Sequence, residues 1–324
     1  MARSDRVVVA VGAEDDGRTV DWAAAEAAAR GCALHLVCAQ PLNWVAGWSG
    51  LVPVGDIRSE YGAAEELLRA AVLRARTIAS DLEVSAEALF GPTVSVLAAL
   101  AGRAQLLVLS GRPGVRAQGL RGRLASSIAA DVAAVARCPV AVVGPLPTGP
   151  RSGAPPRVVV GVDGRTSSAA LGFAFRAAAQ RQLPVTALHV WAPDLPADLE
   201  AVRGSSGTAE VLTRAVLERA LAPVRCAFPD VPVERCVAGT DPVAELVRRS
   251  DGAALVVLGT RGRGAVRAGL FGSVSRSVSR QARCPVVVVR PDGRARSGSA
   301  HSDRRTGGRP GRHEPLRRWG AGWG

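Results

Sequence analysis

Residues 258–274 read Leu-Gly-Thr-Arg-Gly-Arg-Gly-Ala-Val-Arg-Ala-Gly-Leu-Phe-Gly-Ser-Val, with two residues between Gly259 and Gly262 and nine between Gly262 and Gly272. Glycines at such spacing let a loop adopt positive φ and bring backbone N–H groups close to anionic oxygens. Gly272-Ser273 then reads as the opening of a helix, where unpaired N–H groups and the helix dipole attract anions and a serine can cap or donate. Arg261, Arg263 and Arg267 add positive charge with no acid nearby. The chemistry this pattern fits is a phosphate cradle made of amides. It has to be, because all 41 basic residues are arginine. A phosphate-loop lysine, a lysine Schiff base and a kinase-type lysine are all excluded.

No catalytic constellation accompanies the loop. There is no G-x-S-x-G elbow, H-E-x-x-H pair or strand-borne G-x-G-x-x-G. The serine–glycine–aspartate phosphate loop of ATP pyrophosphatases is absent as well. Of four histidines, His301 and His313 fall near the C-terminus, while His35 and His189 each follow a leucine in an apolar run. Those two read as equivalent strand residues, packed and hydrogen-bonded. The six cysteines form no C-x-x-C pair, and most lie in or beside apolar runs, as small buried hydrophobes do. They predict a reducing, cytoplasmic setting without disulfides and without a zinc site.

A duplicated unit positions the loop. Arg6-Val-Val-Val-Ala-Val11 returns as Arg157-Val-Val-Val-Gly-Val162, Leu34-His-Leu-Val37 as Leu188-His-Val-Trp191, Leu106-Leu-Val-Leu109 as Leu255-Val-Val-Leu258, and Arg137-Cys-Pro-Val140 as Arg283-Cys-Pro-Val286. Four landmarks in one order indicate duplication. The expected organisation is a first domain over 1–144, a Pro/Gly-rich linker over 145–156, a second domain over 157–291 and a tail over 292–324. The valine-rich runs predict strands buried on both faces. Between them, helices are predicted near 166–182, 208–222, 241–250 and 272–282 of the second copy. Val211, Leu212, Ala215 and Val216 supply the apparent apolar stripe of the second of these.

Alternation through five strands predicts an open parallel α/β sheet in each copy, hence two tandem five-stranded sheets with flanking helices. Such sheets bind ligands beyond the carboxyl ends of their strands, where strand order reverses. The final strands, 139–143 and 285–289, are expected to pair within the chain and cover two open edges.

The remaining composition excludes other classes. At 324 residues and 48% hydrophobic, the chain can bury two cores. Aromatic residues make up 4%, too few for a platform on which single-stranded nucleic acid could stack. No apolar run approaches a membrane span, and the apolar stretch near the N-terminus is a strand repeated internally, not a signal. Eight arginines against three acids give residues 292–324 a charge of +5. This Arg/Gly/Ser-rich tail is read as disordered and solvated. Trp44 and Trp48 make residues 41–54 unusually apolar, and the segment is expected to pack over the first copy's pocket, with a partner contact or lid as the alternative.

On these residues the chain resembles the universal stress protein family in its tandem two-domain form, over roughly residues 5–291. The loop fits the family's G-x-x-G, nine residues, G-[S/T] signature. Val158-Val-Val-Gly-Val-Asp-Gly164, Val237-Ala-Gly-Thr-Asp-Pro-Val243 and Cys284-Pro-Val-Val-Val288 are similar to its other landmarks. The resemblance implies a Rossmann-like, adenine-nucleotide-hydrolase-like fold and ATP or a related adenine nucleotide at the second copy. Gly259, Gly262, Gly272, Ser273 and Val274 match phosphate and ribose contacts. Asp163 matches an acidic residue near adenosine, Val190 a backbone contact to adenine, and Leu258 an apolar neighbour of the nucleotide. Gly161 lies in the matching first strand.

The first copy departs from this pattern. Ser110 stands where Gly259 does, Pro113 where Gly262 does, Ser126-Ser127 where Gly272-Ser273 do, and Gly12 where Asp163 does. Proline removes an N–H donor and fixes φ. The expectation is one competent nucleotide site per chain, in a non-catalytic, nucleotide-dependent regulator of a stress response. Slow ATP hydrolysis, a role for Mg2+ and association into a homodimer stay open. Two other readings stand beside it: a scaffold or interaction protein that binds no nucleotide, and an arginine-driven nucleic-acid binder acting through the tail.

Overall fold

A computed structural model describes residues 6–13, 16–41, 44–47, 50–53, 57–111, 128–144, 153, 155–163, 168–190, 206–239, 241–260 and 272–290. Residues 1–291 form one compact unit, and 292–324 form a second that lies outside the described residues. The first copy comprises β1 (Arg6–Ala10), α1 (Arg18–Arg30), β2 (Ala33–Gln40), β3 (Trp44–Gly47), β4 (Gly50–Pro53), α2 (Ile57–Ile78), β5 (Val84–Phe90), α3 (Thr93–Ala101), β6 (Leu106–Ser110), α4 (Ile128–Val135) and β7 (Val140–Val143). The second comprises β8 (Val158–Val162), α5 (Ser168–Arg181), β9 (Val185–Val190), α6 (Ser206–Ala227), β10 (Val233–Ala238), α7 (Pro242–Ser250), β11 (Leu255–Gly259), α8 (Ser273–Gln281) and β12 (Val286–Val289).

Ten strands make one sheet in the order β10-β9-β8-β11-β12-β7-β6-β1-β2-β5. Within each copy all pairs are parallel, as valine runs joined by helical crossovers require. The single antiparallel pair among them is β7 with β12, where Val142 faces Val286 and Val140 faces Val288. The last strands therefore pair within the chain, and a pseudo-twofold axis runs between them.

Successive strand residues feed opposite cores. Val7 and Val9 belong to the core that α1, α2, α5 and α6 share on one face, and Val8 to the core shared by α3, α4, α7 and α8 on the other. In each copy the strand order reverses between the first and fourth strands, β1/β6 and β8/β11.

Helix ends show how local sequence fixes the elements. Gly31 ends α1 in the left-handed region at φ 62, and its N–H and that of Cys32 reach the carbonyls of Ala28 and Ala27. At the start of α7, Asp241 accepts from the amides of Val243 and Ala244 at 3.2 Å, with Pro242 in the first turn. Inside α7, Glu245 accepts from Arg248 at 2.6 Å and Arg249 at 2.7 Å. The Arg248 guanidinium first, then Arg249, holds the Glu245 carboxyl down at about 2.

That pKa carries a prediction. A carboxyl lower in the folded than in the unfolded chain stabilises fully above its usual 4.5, and the contribution is lost as pH falls towards about 2. Glu245→Gln should cost on the order of 1 kcal/mol at pH 7, discounted because Arg248 is solvent-screened. Urea unfolding of both proteins from pH 7 to pH 2.5 should show the gap closing on acidification. A gap independent of pH would contradict the assignment.

Two expectations from periodicity need correction. On α6, Val211 is 67% exposed and Val216 38%, whereas Thr213, Leu217 and Leu221 are buried. The stripe facing the sheet is the longer one, which continues through Ala220 and Val224 to Phe228. It outweighs the short cluster at 211–216 because it extends over more turns of helix. The helix also runs through Pro223, past the expected end at 222. Within the apolar segment 41–54, β3 and β4 pair antiparallel with Trp44 opposite Pro53, while Trp48 lies outside the described residues.

Candidate functional site

Asp163, Val190, Leu258 and Gly259 lie at the carboxyl edge of the second copy's sheet. Val160 pairs with Val257, so β8 and β11 run side by side to their ends at Val162 and Gly259. Asp163 follows β8 directly and is exposed. Val190 ends β9, opposite Ala238 of β10. Gly259 faces Val289, and the Thr260 amide donates to the Val289 carbonyl at 2.9 Å. Leu258 is buried, with Val274 half-buried. Gly262 and the three loop arginines, 261, 263 and 267, lie outside the described residues.

Gly161 contributes through packing. A Cβ there would come within 2.8 Å of Leu258 Cδ2 and 3.7 Å of Leu246 Cδ2. Its missing side chain lets Leu258 lie over β8 beneath the crevice. The equivalent first-copy residue is Ala10.

Gly272 occupies the N-cap of α8 at φ −53 and ψ 146, and among the described residues no side chain caps the helix. Ser273 is exposed as the first helical residue. An uncapped first turn leaves N–H groups available to acceptors from outside the helix. By contrast, α7 of the same copy is capped by the Asp241 side chain. Gly272 needs no left-handed φ, and among the described residues a Cβ on it would meet nothing nearer than Ser275 Oγ at 4.0 Å.

Sheet register corrects the reading of the histidines. Val7 pairs with Leu34 and Val158 with Val185, so the first two strands of each copy align 151 residues apart (158 against 7, 185 against 34). His35 thus matches Thr186, and His189 matches Cys38. The shared Leu-His dipeptide is displaced by three residues. His35 Nδ1 and Ser85 Oγ are 2.9 Å apart, and the Thr186 hydroxyl donates to Glu234 at the same 2.9 Å. These are one cross-strand polar pair written twice. Burial, then the Arg6 charge, pushes the His35 imidazole below its ordinary value, so it is neutral at pH 7.

His189 belongs instead to the carboxyl edge, where its Nδ1 donates to the Val162 carbonyl beside Asp163. Sequence reasoning placed it in the wrong layer. Counting strand length back from Asp163, rather than matching dipeptides, is the signal that finds it.

The same register places Ser110, opposite Val143, where Gly259 stands opposite Val289. Pro113, Ser126 and Ser127 lie outside the described residues. Among the described residues there is no group of three His, Cys, Asp or Glu able to hold a metal, and no helix long and apolar enough to cross a membrane.

Comparison with known proteins matches this geometry. Universal stress protein Rv2005c of Mycobacterium tuberculosis is 32% identical over 303 residues, covering 88% of this chain and 96% of that protein. Universal stress protein Rv2623 of the same organism is 32% identical over 281 residues, covering 84% and 91%. The fold is that of a universal stress protein from Archaeoglobus fulgidus, with a TM-score of 0.61 at 16% identity over 89% of this chain and 97% of that one. The profile of the Universal stress protein family matches residues 3–144 and again 156–290. By duplicated sheet and by sequence alike, the chain belongs to the universal stress protein family and carries the family unit twice.

Proposed function

We propose that the second copy binds an adenine nucleotide, ATP foremost, and that occupancy of this one site makes the protein a nucleotide-dependent regulator in a cytoplasmic stress response. The observation that carries the reading is the uncapped start of α8 at Gly272, at the end of a loop with the G-x-x-G, nine residues, G-S spacing. In this reading the amides of Gly259, Gly262, Gly272 and Ser273 hold the polyphosphate, with the Ser273 hydroxyl as a further donor and Val274 beside the phosphate and ribose. The Asp163 carboxylate accepts from adenosine hydroxyls, the Val190 backbone meets the adenine edge, and Leu258, seated over Gly161, forms the apolar floor. Mg2+ would accompany ATP on its phosphate oxygens, not on a protein cage.

Nucleotide binding would bias the surface that the carboxyl edge of the second copy presents to partners. The test is mass spectrometry of gently purified protein for retained nucleotide, followed by equilibrium titration with ATP. One adenine nucleotide per chain is expected. Two equal sites per chain would refute the asymmetry between copies, and no binding at all would leave the scaffold reading standing.

A further inference from the structure

At the carboxyl edge of the second copy, β12 ends at Val289 beside Gly259, and the Thr260 amide donates to the Val289 carbonyl at 2.9 Å. That carbonyl belongs to the peptide joining Val289 to Arg290. The Arg290 backbone therefore starts about one strand spacing, ~4.8 Å, from the first residue after β11. Its side chain reaches into the first copy, where Nη1 donates to the Ala134 carbonyl in the last turn of α4.

Ala134 lies level with the start of α8. Val286 faces Val142 and Val288 faces Val140, so the pseudo-twofold relates residues 146 apart at this joint, as 286 against 140 and 288 against 142. Ala130 and Arg276 are mates by this count, and both line one narrow space between the copies. α4 and α8 thus meet antiparallel at the axis. One turn towards the end of α4 is matched by one turn towards the start of α8, which brings Ala134 beside Gly272. A second contact follows the same symmetry. Gly144, the mate of Arg290, lies at the end of α8, where a Cβ on it would stand 4.0 Å from the Ser279 carbonyl oxygen and 3.9 Å from that of Ala282.

A guanidinium has five N–H donors, and the bond to Ala134 uses one of them. Arg290 is exposed, and among the described residues it meets no carboxylate. Its remaining donors stand between the end of β11 and the first turn of α8. Backbone amides and a helix dipole attract a phosphate but bring no net charge to offset a polyphosphate. An arginine fork brings that charge, with bidentate geometry. At the first copy's carboxyl edge the mate is Gly144, which supplies none.

We infer that Arg290 is the specificity-determining cation of the second-copy site: it binds the outer phosphates of the nucleotide and selects a nucleoside triphosphate over a monophosphate. The inference rests on the nucleotide reading proposed above and adds the class of nucleotide to it.

The test is calorimetric titration of the full-length parent, Arg290→Gln, Arg290→Lys and Arg219→Gln with ATP, with adenosine monophosphate measured by its displacement of ATP. Arg290→Gln should weaken ATP about tenfold or more, the range of a charge-assisted hydrogen bond, and change the monophosphate by less than about twofold. Arg290→Lys should recover part of the loss, as a point charge without the fork. Arg219→Gln removes the same charge from an exposed residue of α6, on the opposite face of the sheet, and should bind both ligands as the parent does.

ATP held by Arg290→Gln as tightly as by the parent, or both ligands weakened alike as a role confined to the end of α4 would produce, overturns the inference and leaves the nucleotide reading in place. A parent that binds no ATP overturns both.

Discussion

Gly272→Asp should lower ATP affinity at least hundredfold, about 2.7 kcal/mol or more, while leaving the protein as stable as before. The two effects separate because of where Gly272 sits. Its backbone at φ −53 and ψ 146 suits any residue, and among the described residues an added Cβ would meet only Ser275 Oγ, at 4.0 Å. Aspartate is a preferred N-cap, so its carboxylate would accept the first-turn amides of α8 and add a few tenths of a kcal/mol to the helix. Those are the donors assigned to the phosphates. The substitution places a fixed anion where a polyanion must bind, and repulsion adds to lost hydrogen bonds.

Gly272→Ala is the control, expected to bind ATP within about threefold of the parent, because it neither fills the amides nor adds charge. Calorimetric titration with ATP and urea unfolding on the same three proteins read both quantities. An aspartate variant that still bound ATP normally would remove α8 from the site.

The largest stability effect is expected from Glu26. Its side chain is fully buried, at 1% exposure, between two arginines. Arg30 of its own helix donates at 2.6 Å, and Arg181, from α5 of the second copy, donates to the other carboxylate oxygen. Arg30 also lies 5.0 Å over the Phe173 ring. Arg30 and Arg181 are 151 residues apart, the same spacing that relates β1 to β8, so they are pseudo-twofold mates. Glu26 has Ala177 as its counterpart, and Arg181 donates to the Ala177 carbonyl at 3.0 Å. One carboxylate therefore serves two symmetry-related cations and ties the copies together on the sheet face opposite α4 and α8. Burial pushes both guanidinium groups below their ordinary pKa.

Removing the shared anion leaves two largely desolvated cations together, and Glu26→Ala should cost about 3–5 kcal/mol in denaturant unfolding at unchanged m-value. The triple change Glu26→Leu, Arg30→Leu, Arg181→Met should recover most of that loss, since apolar replacements of a buried ion network are often neutral or better. A single substitution costing less than 1 kcal/mol would show that the network does not join the copies.

The elements were readable because their signals are local. Valine runs at 7–11, 106–109, 158–162 and 255–258 are strands, and predicted helix boundaries in the second copy fall within a few residues of α5 and α7. Where reading failed, a second signal competed. Two Leu-His dipeptides imitated equivalence, and only the pairing of Leu34 with Val7 and His189 with Val162 shows the three-residue displacement. On α6, two apolar stripes coexist, and contact with the sheet selects the one through Leu217 and Leu221.

Duplication, the parallel α/β class and the amide-rich loop without lysine were thus properties of the sequence alone, since each depends on residues a few positions apart. Tertiary structure decided which residues meet across the pseudo-twofold: Val286 with Val142, Arg181 with Glu26, and Arg290 with Ala134. Those partners lie some 130 to 170 residues apart along the chain. Nothing in periodicity or spacing encodes such meetings, because they follow from one antiparallel strand pair that sets the two copies face to face.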